Sequence, residues 1–195
     1  MNGLRIFLAG VGGQGTLTAT VLLARIALDK DMQVTAGEIH GMAQRGGIVE
    51  STLLLGGFLS PRISSGEADV LLGFEPLETL RALHYLKPGG TVFSNTDPTM
   101  PVAVSRGEET YPDLEYIQNK TRACAGQSFF LPCKELAAQT GNVQSSNTVL
   151  LGAFCGAKAS PFSLQDLQEG IQRHLPPKIA AVNIQAAGLG VQALA

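Results

Sequence analysis

The sequence predicts an α/β fold built on a mainly parallel sheet. Three observations carry that expectation. The apolar run Leu4 to Ala9 meets a glycine-rich loop, Gly10-Val11-Gly12-Gly13-Gln14-Gly15, and a helical pattern follows it. The run Ala68 to Phe74 is joined by a helical stretch to Thr91 to Ser94, a crossover of about the minimum length for parallel strands. The apolar runs are continuous more often than alternating, as in strands buried on both faces.

Taken in order, Leu4–Ala9 is the first strand. Leu17, Val21, Ala24 and Leu28 then recur at helical steps, with Leu22, Leu23 and Ile26 widening the face, so a helix is expected from about Gly15 to Lys30. Gln33–Ala36 is a short second strand. Ile48–Leu55 is a third, ended by Gly56-Gly57, and residues 58–63 form a turn or short edge piece. Ala68–Phe74 is the fourth strand. Pro76 opens a helix carrying Leu77, Leu80, Leu83 and Leu86, which Pro88-Gly89-Gly90 stops. Thr91–Ser94 is the fifth strand. Residues 98–112 hold three prolines and read as a loop, with a short strand around Val102–Val104. A weak amphipathic helix (Asp113–Ala125), a sixth strand (Ser128–Leu131) and a helix (Cys133–Thr140) follow. Asn142 is expected as a C-cap and Asn147 as the N-cap of an apolar helix reaching Lys158. Ser163 with Asp166 makes a near capping box for the next helix, which stops before Pro176-Pro177. A last helix runs from about Lys178 to Leu194. With no repeat or linker, residues 1–195 read as one domain.

Composition excludes several function classes. Hydrophobic residues make up 45% and charged residues 15% of the 195 positions, and a charge fraction that low suggests either a surface partly covered by a partner or a glycine- and alanine-rich core. A net charge of −2 leaves no electrostatic footprint for nucleic acid. The first apolar run is too short for a signal segment, and no stretch approaches a membrane span, so a cytoplasmic protein is expected. The three cysteines, Cys124, Cys133 and Cys155, match no zinc or iron–sulfur spacing and read as reduced, mostly buried residues.

Two loops carry the functional signal. Gly10, Gly12 and Gly15 match a dinucleotide fingerprint between strand and helix, where backbone N–H groups favour an anion. Glu38 falls about where a ribose-binding acid would. The same glycines also suit a tight turn with close helix–sheet contact, and local sequence leaves these two readings even. The second loop, Glu38-Ile39-His40-Gly41-Met42-Ala43-Gln44-Arg45-Gly46-Gly47, concentrates glycine, histidine, glutamine and arginine after the second strand. If strands one and two are parallel neighbours, both loops open on one edge, where ligands gather in open α/β sheets. Arg45, flanked by Gly46 and Gly47, can offer a bidentate fork to phosphate or carboxylate, or form an intramolecular or subunit salt bridge. His40 can serve as a base or simply bond backbone. His84 and His174 read as solvated. Asp69, Glu75 and Glu78 make no convincing acid pair, and no full set of acid, base and nucleophile is present. The candidate ligand-binding or subunit-docking residues are therefore Gly10, Gly12, Gly13, Gln14, Gly15, Glu38, His40, Gln44, Arg45, Gly46 and Gly47, with no catalytic or metal residues.

In combination, the two loops resemble the gamma-subunit-like domain of 2-oxoacid:ferredoxin oxidoreductases. The His-Gly-Met-Ala-Gln-Arg-Gly-Gly form is most similar to the beta subunit of indolepyruvate:ferredoxin oxidoreductase. Gly66–Pro76, Leu86–Gly90 and Asn147–Ala153 extend the resemblance in order along almost the whole chain. It implies a three-layer α/β/α fold, partly Rossmann-like, of the pyruvate:ferredoxin oxidoreductase domain III type. It also implies a subunit, inactive alone, of an enzyme that oxidatively decarboxylates an aryl pyruvate such as indolepyruvate to the acyl-CoA and reduces ferredoxin. Thiamine diphosphate and iron–sulfur clusters would lie on a larger partner subunit, and coenzyme A would approach the two loops. The resemblance demotes the dinucleotide reading. Alternatives are a gamma subunit serving pyruvate, 2-oxoglutarate or branched-chain 2-oxoacids, a free-standing dinucleotide-binding or regulatory module, and a homodimer when isolated. Glu50 is a departure, because relatives often carry a basic residue soon after the Arg-Gly-Gly.

Overall fold

The computed structural model describes residues 3–40 and 47–194, His40 by its backbone alone. Six strands form one mixed sheet in the order β2-β3-β1-β4-β5-β6. They are β1 (Leu4–Val11), β2 (Val34–His40), β3 (Ile48–Leu55), β4 (Ala68–Gly73), β5 (Leu86–Asn95) and β6 (Gln127–Leu131). β1, β4, β5 and β6 pair in parallel, whereas β3 runs antiparallel to both β1 and β2.

That arrangement corrects the expected neighbourhood of strands one and two. They point the same way, but β3 lies between them. The ends of β1 and β2 still lie at one edge of the sheet, since Val11 pairs with Ile48 and His40 with Val49. The physical reason is that β3 pairs antiparallel with β2 along its whole length and offers its other edge to β1.

The alternation of β1 shows how the layers form. Ile6 and Leu8 face one side and are fully buried with α1 (Thr16–Asp29), α5 (Cys133–Ala138), α6 (Ser146–Gly156), α7 (Leu164–His174) and α8 (Pro177–Gln192). Phe7 and Ala9 face the other side, with α2 (Pro76–Ala82) and its 3-10 extension Leu83–Tyr85. α4 (Leu114–Cys124) packs against β5, β6 and α2. Each fully buried leucine, isoleucine or phenylalanine in these layers contributes about 1.5–3 kcal/mol relative to exposure.

Several local expectations change. The α1 face that buries is Ala19, Leu22, Leu23, Ile26 and Ala27, while Leu17, Val21 and Leu28 are exposed. The apolar stripe is wider than the sheet can cover, so periodicity alone could not choose its buried half. Val102–Ser105 is a short helix, α3, not a strand, because Ser105 and Arg106 donate their amides back to Pro101 and Val102. β5 begins five residues earlier than expected, at Leu86, with Gly89 at φ 77° accommodating Pro88-Gly89-Gly90 inside an extended run. Helix α6 starts at Ser146, so Asn147 lies in its first turn. Asn142 caps the start of the 3-10 turn Val143–Ser145 by accepting from the Gln144 amide. Ser163 and Asp166 form a complete capping box on α7.

Candidate functional site

A cavity of about 500 Å³ opens at the carboxyl ends of the parallel strands. Its lining includes Gly13, Gln14 and Gly15 after β1, Phe74 after β4, Asn95 at the end of β5 and Lys134 after β6. The far wall is the start of α6 and one side of α8, with Asn142, Gln144, Ser145, Asn147, Thr148 and Asn183. This is the crevice where ligands of open α/β sheets collect.

The first glycine loop forms one lip. Gly10 is required by close packing, because a methyl group there would press against Thr16 and Phe74. Gly13 and Gly15 sit at φ 97° and 79°, backbone that side chains disfavour. The Gln14 side chain turns back to accept from the Val11 amide at 3.0 Å, and its Nε2 donates to Thr99 Oγ1 at 3.0 Å. It thereby ties the loop to the segment after β5. The Gly12 amide donates to the Gly47 carbonyl at 2.8 Å, joining the first glycine loop to the end of the second.

Sequence reasoning assigned Asn147 a cap and missed its place in the cavity wall. Asn147 Nδ2 donates to the Gly15 carbonyl at 3.4 Å, and its Oδ1 accepts from the Thr148 amide at 2.9 Å. Thr148 Oγ1 donates to Asn183 Oδ1 at 2.6 Å, and Asn183 Nδ2 donates to the Ile179 carbonyl at 2.8 Å. Asn95 was missed as well. Its Nδ2 donates to the Phe74 carbonyl at 3.1 Å, while its Oδ1 accepts the amides of Asp97 and Cys133 at 3.1 and 3.2 Å. One buried amide thus fastens the ends of β4, β5 and β6. An isolated asparagine gives no sequence signal for such a role.

Among the described residues no carboxylate lines the cavity, and Lys134 is its one cation. Two helices, α1 and α6, begin on it without a side-chain cap. Donor-rich, acid-free walls of this kind suit an anion or a polar amide-bearing ligand.

Other expected site residues fall elsewhere. Glu38 is exposed on β2, two strands from the first glycine loop with β3 between. At about 4.8 Å per strand it does not stand beside that loop as a ribose-binding acid would. The structure thus weakens the dinucleotide reading. Gln44, Arg45 and Gly46 lie outside the described residues, as does the His40 side chain.

The acids resolve into separate roles. Asp69 is at the opposite end of the sheet, accepting the Arg5 amide at 2.7 Å and pairing with Lys87. Glu75 and Glu78 share the first turn of α2 and are 1% and 4% exposed. Glu75 accepts from Tyr111 Oη, from the Thr99 amide at 3.1 Å and from the Glu78 amide at 2.9 Å. Burial raises the Glu78 carboxyl above its usual range, with Arg81 at 2.7 Å opposing the shift. His174 is not simply solvated, since its Nε2 lies 2.7 Å from Asp29.

No cluster of three or more potential metal ligands forms among the described residues. Burial also pushes the thiols of Cys133 and Cys155 up, the latter to about 12, as befits small residues packed in the core. The described cysteines are not gathered into the set of ligands that a cluster needs. Among the described residues no helix is long and apolar enough to cross a membrane.

With this geometry in hand, the comparisons assign the chain. Residues 5–193 match the pyruvate ferredoxin/flavodoxin oxidoreductase family, and the chain belongs to it. The indolepyruvate oxidoreductase subunit IorB of Pyrococcus horikoshii is 42% identical over 195 residues, covering 99% of this chain and 96% of that protein. The fold is shared with the pyruvate oxidoreductase subunit PORC of Thermotoga maritima, at a TM-score of 0.73 and 20% identity over 98% of this chain and 97% of that one. It also matches part of the 2-oxoglutarate:ferredoxin oxidoreductase of Magnetococcus marinus, solved with 2-oxoglutarate, coenzyme A and succinyl-CoA. There the TM-score is 0.69 at 19% identity, over 99% of this chain and 31% of that one.

Proposed function

We propose that this chain is the small subunit of a 2-oxoacid:ferredoxin oxidoreductase that converts an aryl pyruvate, such as indolepyruvate, to its acyl-CoA. The observation that carries the reading is the 42% identity to an IorB subunit from end to end. Thiamine diphosphate, which supplies the chemistry of decarboxylation when bound, and the iron–sulfur clusters reside on a larger partner subunit.

In this reading the chain's own residues bind and orient. Lys134, Gln144 and Asn147 offer a cation and amides to the phosphates and pantetheine of coenzyme A. Gln14 holds the loop lip in place through Val11 and Thr99. The loops of Gly10–Gly15 and Glu38–Gly47 form the edge that meets the partner, with Arg45 available to a phosphate, a carboxylate or the partner chain.

The test is co-expression of the tagged chain with the large thiamine- and iron–sulfur-bearing subunit encoded in the same genome. Viologen reduction is then measured with indolepyruvate, pyruvate, 2-oxoglutarate and branched-chain 2-oxoacids. Activity of the pair, and not of either chain alone, with preference for indolepyruvate supports the proposal. A pyruvate preference would move the chain toward the pyruvate/ketoisovalerate gamma subunits, represented at 27% identity by the Thermococcus kodakarensis protein. In the active complex, Lys134→Gln should raise KM for coenzyme A roughly tenfold with kcat little changed, the loss of one charge-assisted contact.

A further inference from the structure

The sheet face that carries α2 and α4 is not covered to its end. On that face Ile39 of β2, Glu50 of β3 and Ala9 of β1 lie abreast, since Ile39 pairs with Glu50 and Glu50 with Ala9. Ile48 lies one step further along, paired with Val11. Among the described residues, cover exists on two sides only. Pro61 closes over Gly37 and Thr52, with the Thr52 hydroxyl donating to the Pro61 carbonyl at 2.7 Å. α2 covers β1 and β4. Between them Ile39 remains 69% and Ile48 43% exposed.

Branched aliphatic side chains left open on a sheet face mark an interaction surface when they stand together. Here they flank an acid. Glu50 lies close enough for its charge to act on Glu78 and Tyr85 at the edge of α2. Of the described cations on this border, Arg81 is held by Glu78 at 2.7 Å, and Arg62, exposed, acts on Tyr85 from the side of Pro61. The corner is therefore apolar with an acidic centre, and it ends at the linked loops of Gly12 and Gly47.

We infer that Ile39, Ile48 and Glu50 seat a segment of the larger subunit that presents aliphatic side chains around one arginine or lysine. The inference rests on the subunit reading above and locates its interface. A second copy of this chain suits the corner poorly. A two-fold contact centred there sets Glu50 against Glu50, and like charges brought together in a drying interface repel. A basic partner removes that cost and makes binding sensitive to salt.

The experiment measures the affinity of the tagged chain for the purified large subunit at 50 and 500 mM salt. The variants are Glu50→Gln, Glu50→Lys and the double change Ile39→Ala with Ile48→Ala, with Glu115→Lys on α4 as a control of equal charge change. Thermal unfolding of each free chain checks that it folds. We expect Glu50→Lys and the double alanine variant to weaken binding at least tenfold, with the control unchanged. Glu50→Gln should flatten the salt dependence. Folded Glu50→Lys and double alanine variants that bind within twofold of wild type, beside a wild-type complex that forms normally, would overturn the interface and leave the subunit reading intact. A wild-type chain that binds no large subunit would overturn both. Sedimentation showing a dimer of this chain, dissolved by the double alanine change, would give the corner to a second copy and refute the proposal.

Discussion

The amide of Gly12 donates to the carbonyl oxygen of Gly47 across 2.8 Å, so the loop after β1 and the residue before β3 are held by one backbone bond. Neither glycine has a side chain to hold it otherwise. The Gly12 amide should exchange with solvent at least tenfold more slowly than an unstructured glycine in hydrogen-exchange NMR. Gly12→Pro removes the donor, and it should cost about 1 kcal/mol or more in urea unfolding. A fast-exchanging Gly12 would mean that the two loops move independently.

The Glu75 carboxylate anchors the segment after β5 at two points, the Thr99 amide and the Tyr111 hydroxyl. Burial, together with the hydrogen bond to that carboxylate and its charge, holds the Tyr111 phenol protonated far above its ordinary range. Tyr111→Phe should therefore lose a hydrogen bond to a charged group, about 1.5–3 kcal/mol. Amides between residues 99 and 111 should exchange faster in the variant, while those of β1 should not.

Helices α6 and α8 touch backbone to backbone. A methyl group at Gly152 would overlap the Ala187 carbonyl, and one at Gly190 would overlap that of Val149. Gly152→Ala or Gly190→Ala should destabilise by about 3 kcal/mol, because main-chain atoms cannot step aside as a side chain can. Gly188 on the same helix meets nothing within 4 Å. Gly188→Ala should stabilise by about 0.5–1 kcal/mol through the unfolded chain. Equal effects at the three positions, read from chemical denaturation, would refute the close contact.

Ser51 is fully buried on β3, and its hydroxyl has no partner among the described residues. An unsatisfied buried hydroxyl costs about 1–3 kcal/mol. Ser51→Ala should leave stability unchanged or raise it by about 1 kcal/mol, whereas most buried substitutions lower it. A clear loss would show that the hydroxyl is satisfied in solution.

Two surface carboxylates tie α1 to α7. Hydrogen bonding to His174, with Arg173 nearby, lowers the Asp29 carboxyl, and hydrogen bonding to Lys30 lowers that of Asp166. Folded values below the unfolded one make these groups stabilising above about pH 4, the unfolded aspartate range, and that contribution fades as pH falls through the folded values. The double change Asp29→Asn with Asp166→Asn should lower Tm at pH 7, with the difference from wild type shrinking toward pH 3. A difference that grows in acid would reverse the sign.

Much of the fold was legible because local chemistry and the final structure agree. The apolar run Leu4–Ala9, the glycines after it and the Ser163–Asp166 capping box each report on their own neighbourhood. The Pro76 helix start and the reduced cysteines were legible for the same reason. The glycine-rich lip of the cavity was also legible, since positive φ at Gly13 and Gly15 demands glycine. By contrast, Asn147 looked like a cap, because its bond to Gly15 spans 132 positions of sequence. The exposed Leu17 and Val21 fit the apolar period of α1 as well as the buried Leu22 and Leu23 do.

The sequence by itself determined the strand–loop–helix beginning, the crossover between β4 and β5, the absence of cluster-spaced cysteines and the resemblance that the family match bears out. Those features are written in adjacent residues, in propensity, period and backbone freedom. Only the tertiary structure decided that β3 lies between β1 and β2, that Asn95 fastens three strand ends, and that Gln14 and Asn147 wall one cavity. It also decided that Ile39, Glu50 and Ile48 share an open face. These depend on strand order and register, which set side chains together across the sheet, and no local stretch of chain encodes which strand will come to lie beside it.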